Sequence, residues 1–269
     1  TKLASIEIPK SVKNIGNSAF SGCISLTGIN VSENNTAYCS ENGVLYNKAK
    51  TEIMRFPCQK TDTSFTIPNG VTGIANGAFE NCRNLTGITI PKGAKSIGDD
   101  VFSNCEGLTS ITIPDGVTSI GSSAFYECIA LTSAVIPNTV TSIGNNAFLN
   151  RNKLKDVYYD GSAEDWIAIS KGENYSIADD IITYCAGIKI TPSDDGKIVV
   201  NPTNTVPGKT VILALYEGGR LVEMQQSSEY SETNREITFT PTKPYTRAKV
   251  MVWNSLSGMS PVCDFKIVK

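Results

Sequence analysis

Residues 85 to 105 read LTGITIPKGAKSIGDDVFSNC, and residues 108 to 128 repeat the phrase as LTSITIPDGVTSIGSSAFYEC. The repetition extends beyond this pair. Pro68, Pro91, Pro114 and Pro137 stand 23 residues apart, as do Phe79, Phe102, Phe125 and Phe148, and Leu85, Leu108, Leu131 and Leu154. A fixed period of this length confines a chain to a solenoid, in which each rung touches only its neighbours. Leu108, Ile111, Ile113, Val117, Ile120, Ala124, Phe125 and Cys128 form the expected inward set of one rung. Burying each large side chain gains roughly 1.5–3 kcal/mol, while ordering the rung costs roughly 1–2 kcal/mol per residue. One rung cannot fold alone, and stacked copies must bury one another's faces.

Each part of the phrase has a local role. Ile111-Thr112-Ile113 alternates with period two and predicts a strand that Pro114 ends, because proline cannot donate to a ladder. Asp115-Gly116, like Asn69-Gly70 and Lys92-Gly93, supplies a turn, and Val117 to Ile120 predicts a second short strand. The pairs Asn17-Ser18, Asn76-Gly77, Asp99-Asp100, Ser122-Ser123 and Asn145-Asn146 open with a residue of the helix N-cap type, so a helix of one or two turns is expected after each. On that reading Asp99-Asp100 is a cap and not a catalytic pair.

From Phe20 to Phe79 is 59 residues, two periods plus 13. Gly43 to Tyr46 and Glu52 to Pro57 flank Asn47-Lys48-Ala49-Lys50-Thr51 and predict a strand pair, hence a degenerate rung with an insertion at about 33–65. The period fades after Phe148, where Arg151 stands in place of cysteine; Val157-Tyr158-Tyr159 and Ala163 to Ile169 predict a last strand and a helix, a cap over about 155–185. The expected domains are a solenoid over 1–186 and, over 187–269, an antiparallel β-sandwich of immunoglobulin-like size, because about seven short β-branched runs follow there. Gly218-Gly219 is its clearest hairpin turn, and the ring of Trp253 is expected to be buried. The fold class expected is therefore mainly β. The first residues align with the inside of a repeat, as expected of a piece of a longer protein.

Composition narrows the chemistry. The 269 residues carry a formal net charge of -2, so nothing attracts nucleic acid, and no run of 18 apolar residues would insert in a membrane. The chain contains 0 histidines, which removes Ser-His-Asp and Cys-His nucleophiles and His-ligated zinc. Its 8 cysteines form no C-x-x-C pair. Cys82, Cys105 and Cys128 share one repeat position, where parallel stacking favours reduced core thiols over disulfides. Glu164-Asp165, Asp179-Asp180 and Asp194-Asp195 are the carboxylate pairs left for glycoside hydrolysis, and cap and turn roles account for them. No catalytic residue, metal ligand or cofactor is assigned.

The phrase L-T-x-I-x-I-P-x-x-V-x-x-I-G-x-x-A-F-x-x-C, with the Asn42 to Asn47 insertion and the terminal stretch from Tyr159-Asp160-Gly161 to Trp166, resembles the BspA-like leucine-rich repeats of bacterial surface proteins over roughly residues 1 to 185. The stretch from Lys249 to Cys263 is similar to C-terminal sandwich modules of such proteins. The resemblance implies an exported cell-surface protein that binds a host or matrix protein in adhesion. Two other readings stand beside it: a structural spacer, and a glycan-binding or glycan-active protein. The outward strand positions give the contact row Glu7, Asn30, Arg55, Thr66, Thr89, Thr112 and Tyr158. This row is rich in hydroxyls and suits a protein partner better than stacked sugar rings.

Because residues 187–269 carry a strand pattern with its own two-faced core, that segment expressed alone is expected to melt cooperatively. A collapsed, disordered amide spectrum would contradict the expected boundary.

Overall fold

The computed structural model describes residues 2–17, 19–149, 153–178, 181–184, 188–192, 198–202, 210–217, 220–227, 237–244, 247–253 and 265–268. In chain order the repeats form β1 (Ser5–Ile8), β2 (Gly28–Val31), β3 (Tyr38–Glu41), β4 (Val44–Asn47), β5 (Glu52–Arg55), β6 (Ser64–Thr66), β7 (Gly73–Ile74) and β8 (Gly87–Thr89). They continue through β9 (Ser96–Ile97), β10 (Ser110–Thr112), β11 (Ser119–Ile120), β12 (Ser133–Pro137), β13 (Ser142–Ile143), β14 (Asp156–Asp160), helix α1 (Ala163–Ala168), β15 (Ser170–Lys171) and β16 (Ile182–Tyr184). The result is a mainly β solenoid of about seven turns.

A regular rung has three sides. On the first, the Ile-Thr-Ile strands stack in parallel, with Ser64↔Gly87 and Thr66↔Thr89 between β6 and β8, and Ser110↔Ser133 and Thr112↔Val135 between β10 and β12. Thr109 N–H joins the two pairs by donating to Thr86 O at 3.4 Å. On the second, β9, β11, β13 and β15 are parallel, in register at Ser96, Ser119, Ser142 and Ser170. Threonine hydroxyls reinforce both sides: Thr86 Oγ1 donates to Thr63 O at 2.9 Å and Thr141 Oγ1 to Thr118 O at 3.1 Å.

The third side corrects the expected helices. After Ile-Gly the backbone makes a run of turns, and among the described residues only Ala163–Ala168 is α-helical. The reason lies in the second residue of each supposed cap pair: Gly77, Asp100, Ser123 and Asn146 have φ of 65°, 54°, 54° and 55°. Asn81, Asn104 and Glu127 are left-handed as well, at 64°, 57° and 52°. A left-handed residue every fourth position prevents a helical turn, and its N–H groups serve the neighbouring rung. Phe102 N donates to Ala124 O at 2.8 Å, Phe125 N to Ala147 O at 2.7 Å and Phe148 N to Tyr175 O at 3.2 Å. In three of the five pairs the first residue does accept a backbone N–H through its side chain, but from the next rung. Asn76 Oδ1 accepts from Asp99 N at 3.0 Å, Asp99 Oδ1 from Ser122 N at 2.7 Å and Asn145 Oδ1 from Glu173 N at 2.8 Å.

Columns of like residues fill the interior. Phe56, Phe79, Phe102, Phe125 and Phe148 stack with successive ring centroids 5.3, 5.3, 5.3 and 4.9 Å apart. Such contacts add about 0.5–1.5 kcal/mol each beyond simple burial. The Leu85, Leu108 and Leu131 column is buried beside them, as are Cys82, Cys105 and Cys128. The last rung is longer than the regular ones: Gly172-Glu173-Asn174 takes up the places of Gly144-Asn145-Asn146 after 28 residues, the surplus being accommodated by α1. Lys171 Nζ closes that helix, donating to Trp166 O and, at 3.1 Å, to Ile169 O.

By its contacts the chain divides into two compact units, residues 1–157 with 165–182, and residues 158–164 with 183–269. The second contains β17 (Ile188–Pro192), β18 (Ile198–Pro202), β19 (Thr210–Glu217), β20 (Arg220–Ser227), β21 (Ile237–Phe239), β22 (Arg247–Trp253) and β23 (Phe265–Val268). They make two antiparallel sheets, ordered β17–β18–β21 and β20–β19–β22–β23. Glu223 Oε2 accepts from Thr242 N and Lys243 N, both at 2.9 Å, and Gln225 Oε1 from Thr240 N at 3.1 Å, so β20 holds the segment that follows β21. Glu217↔Arg220 pairing brackets Gly218-Gly219, which with Arg151, Asp179-Asp180, Cys185, Asp194-Asp195, Cys263 and the side chain of Trp253 lies outside the described residues.

Rung spacing leaves no room for a side chain after the second strand. A Cβ on Gly121 would lie 2.5 Å from Gly98 C and 2.6 Å from Asp99 N, whereas one on Gly16 would meet nothing within 4 Å. Gly121→Ala is therefore expected to cost about 1–3 kcal/mol of stability through overpacking against backbone, and Gly16→Ala little. Urea denaturation of both variants checks this; equal effects would contradict the close approach.

Candidate functional site

Alternation in the first-side strands sends Ile inward and the residues around it to the surface. Glu7, Asn30, Thr66, Thr89 and Thr112 are all exposed, with Ser64 and Ser110 beside them, and Val135 is half-buried. Cross-strand pairing sets Glu7 opposite Asn30 and Thr66 opposite Thr89. Parallel neighbours of this kind sit about 4.8 Å apart, so Thr66, Thr89 and Thr112 present hydroxyls at nearly regular intervals on a shallow sheet.

The insertion divides this row. Ser40, Asn42 and Gly43 belong to a hairpin in which Asn42 and Gly43, with φ of 50° and 78°, connect β3 to β4. That geometry is the two-residue turn that suits a twisted hairpin. The turn sits against β2: Ile29 N donates to Gly43 O at 2.9 Å, and a Cβ on Gly43 would approach Gly28 Cα to 3.1 Å. Glu7 and Asn30 thus lie on one side of the hairpin, and Thr66, Thr89, Thr112 and Val135 on the other.

Two residues of the expected row are not on it. Tyr158 is buried, at 3% exposure, in a strand where Val157, Tyr158 and Tyr159 are buried consecutively, so both faces of β14 are covered. Arg55, also at 3%, ends β5, which pairs with β4 and with β7 of the second side. Its role follows from the turn ladder. The abbreviated segment Arg55-Phe56-Pro57-Cys58 replaces a full run of turns, so the next rung loses some of its backbone donors. Phe56 N still donates to Ala78 O at 2.7 Å, and Arg55 Nη2 reaches Glu80 O at 3.1 Å, while Nη1 reaches Gly77 O, which also accepts from Glu80 N at 3.0 Å. The Cys58 thiol also donates to Glu80 O, at 3.1 Å, and the Glu80 carboxylate lies 3.6 Å from Arg55 Nη1. Arg55 is a substitute for missing backbone.

A cavity of about 10 Å³, room for one water, lies where the run of turns is missing, lined by Ile15, Phe20, Leu45, Met54, Arg55 and Asn76. Among the described residues no three His, Cys, Asp or Glu side chains gather as a metal site, and no helix is long and apolar enough to cross a membrane. Asp100, of the pair Asp99-Asp100, has its carboxyl pushed up by burial and then by the charges of Glu80 and Asp99. Glu164 and Asp165 lie in α1.

The family model described as a BspA type leucine rich repeat region matches six copies, over residues 1–62 and 54–167. A leucine rich cell surface protein of Faecalibacterium prausnitzii is similar in structure, with a TM-score of 0.54 and 33% identity over 63% of this chain and 51% of its own. A leucine-rich repeat protein of Eubacterium ventriosum gives 0.53 and 35% over 63% and 48%. The pneumococcal vaccine antigen PcpA, at 0.56 and 24% identity over 69% and 51%, shares the fold. The chain spans about half the length of each. No curated protein matches it.

Removing the Arg55 donors would leave Glu80 O with the weak Cys58 thiol as its donor and Gly77 O with the Glu80 N–H of its own turn. Arg55→Met is expected to destabilise the protein by about 2 kcal/mol, since a hydrogen bond from a charged donor contributes roughly 1.5–3 kcal/mol, with Arg55→Lys intermediate. Chemical denaturation measures the order; an Arg55→Met variant as stable as the parent would contradict the substitution of guanidinium for backbone.

Proposed function

The chain belongs to the BspA-type leucine-rich repeat family, and from that premise we propose that it is a non-enzymatic module of an exported bacterial cell-surface protein, binding a host or matrix protein along the first side of the solenoid. The observation that carries the reading is the exposed row Thr66, Thr89 and Thr112, held in register by core columns on its inner face. Equivalent groups recur rung by rung, which makes an extended surface, whereas a catalytic site needs one unrepeated constellation in a concavity. Hydroxyl, amide and carboxylate groups suit hydrogen bonding to a polypeptide. Sugar stacking calls for exposed aromatic faces, and Tyr158, the aromatic of the expected row, is buried. The leucine rich cell surface protein of Faecalibacterium prausnitzii supports the location.

The domain reading belongs to the same proposal: a solenoid over 1–186 and an immunoglobulin-like sandwich over 187–269. It is supported by the two antiparallel sheets of the second unit and by the Glu223 and Gln225 bonds to residues 240–243.

Panels of immobilised matrix proteins and host glycans, probed with the whole chain, separate the readings. A protein is expected to bind, and Thr89→Arg with Thr112→Arg to weaken it at least tenfold, about 1.4 kcal/mol, without loss of fold. Unchanged affinity in that double variant, with loss on substitution elsewhere, would overturn the assignment of the face.

A further inference from the structure

Asparagine is followed by glycine at three places, Asn42-Gly43, Asn69-Gly70 and Asn76-Gly77. Each pair lies in a turn of the solenoid and each asparagine is exposed, so exposure does not separate them. Hydrogen bonding does. Asn76 Oδ1 accepts from Asp99 N at 3.0 Å while Gly77 N donates to Asp99 O at 2.9 Å, so the next rung holds both the side chain and the amide that follows it. Asn42-Gly43 is clamped by its main chain: Gly43 O accepts from Ile29 N at 2.9 Å and Asn42 O from Lys60 Nζ at 3.1 Å. Around Asn69-Gly70 one bond closes the turn, from Val71 N to Pro68 O at 2.9 Å. Among the described residues none holds the Asn69 amide or the Gly70 N–H. Gly70 is exposed, a Cβ added to it would meet nothing within 4 Å, and its φ lies outside the left-handed region.

We infer that Asn69 is a site of self-modification, which the chain converts to aspartate and isoaspartate through its own backbone. The Gly70 nitrogen gives up its proton to solvent hydroxide and attacks Asn69 Cγ. A C–N bond forms, the bond from Cγ to the side-chain nitrogen breaks, and that nitrogen takes a proton from water and leaves as ammonia. Water then opens the resulting five-membered imide. Breaking the new bond at Cγ gives aspartate; breaking the original peptide bond gives isoaspartate. One water is consumed, one ammonia is released, and nothing is oxidised or reduced. Glycine favours the first step because it has no Cβ to hinder its nitrogen and its backbone turns freely. The turn follows β6, the strand that carries Thr66, and it stacks on the Lys92-Gly93 turn, where a Cβ on Gly93 would lie 3.8 Å from Asn69 O. The new carboxylate therefore arises beside a turn that bears a lysine, which favours the charged product. In the iso form the main chain gains a methylene within a rung whose length is fixed by stacking.

The test ages the whole chain at mildly alkaline pH in water carrying a heavy oxygen isotope, then digests it at acidic pH for peptide mass mapping. The heavy oxygen marks conversion that took place in the folded chain, and isoaspartyl methyltransferase labels the iso form. The Asn69 peptide is expected to convert at least about tenfold faster than the Asn42 and Asn76 peptides, a barrier difference of about 1.4 kcal/mol. In urea the three rates are expected to converge. Gly70→Ala, whose added Cβ has open space, is expected to keep the circular dichroism and melting curve of the parent while slowing conversion at Asn69. Equal rates at the three pairs in the folded chain, or an Asn69 peptide that stays intact there while the urea-unfolded chain converts, would overturn the inference.

Discussion

Backbone lying against backbone between successive rungs is the constraint on which the rest of this structure depends. Where Gly121 and Gly144 follow the second strand, a single added Cβ would come within 2.6 Å of the neighbouring main chain. That approach permits three hydrogen-bonded sides at once, two of strands and one of turns. It also places each Phe over the next at about the separation at which aromatic rings attract. The 23-residue period is the sequence record of this fit. A rung one residue too long or short would shift every inward side chain away from its column, so a departure in length has to be absorbed somewhere specific.

The two departures in this chain show how. In the last rung the surplus is accommodated by α1, and the turn ladder resumes at Gly172. In the degenerate rung a hairpin is inserted and the run of turns is cut short, so Glu80 O, whose counterpart Ser103 O meets the Asn81 N–H, meets a guanidinium and a thiol. The burial of an arginine there is a requirement of hydrogen bonding, since a buried carbonyl without a donor costs about 1–3 kcal/mol. The same hairpin interrupts the exposed row, leaving Thr66, Thr89 and Thr112 as its longest uninterrupted stretch.

Much of the solenoid was legible in the sequence because period and alternation reflect burial directly: Leu108, Ile111, Ile113, Phe125 and Cys128 are all interior. The turn side was not, for a specific reason. Asn, Asp and Ser are both the preferred helix caps and residues found at positive φ, so Asp99-Asp100 and Asn145-Asn146 fit either reading, and only the neighbouring rung decides. Other signals were present and missed. Phe56 precedes Phe79 by 23, which marks the retained aromatic of the short rung, and Asn42-Gly43 is a hairpin signature that calls for β3. Arg55 and Tyr158 were legible as strand residues but not as buried ones, because burial at an irregular rung depends on contacts outside the repeat.

The claim that strands and turns form one ladder is tested most directly by residue-resolved amide hydrogen exchange on the free protein. The amides of Phe102, Asn104 and Phe125 on the turn side, and of Thr109 and Thr132 on the first side, all donate to neighbouring rungs. They are expected to share one level of protection and to open together under mild denaturant, as members of a single cooperative unit. If the turn amides exchanged at the rate of an open loop while the strand amides stayed protected, the turns would be mere connectors, and the account of rung-to-rung fit would be wrong.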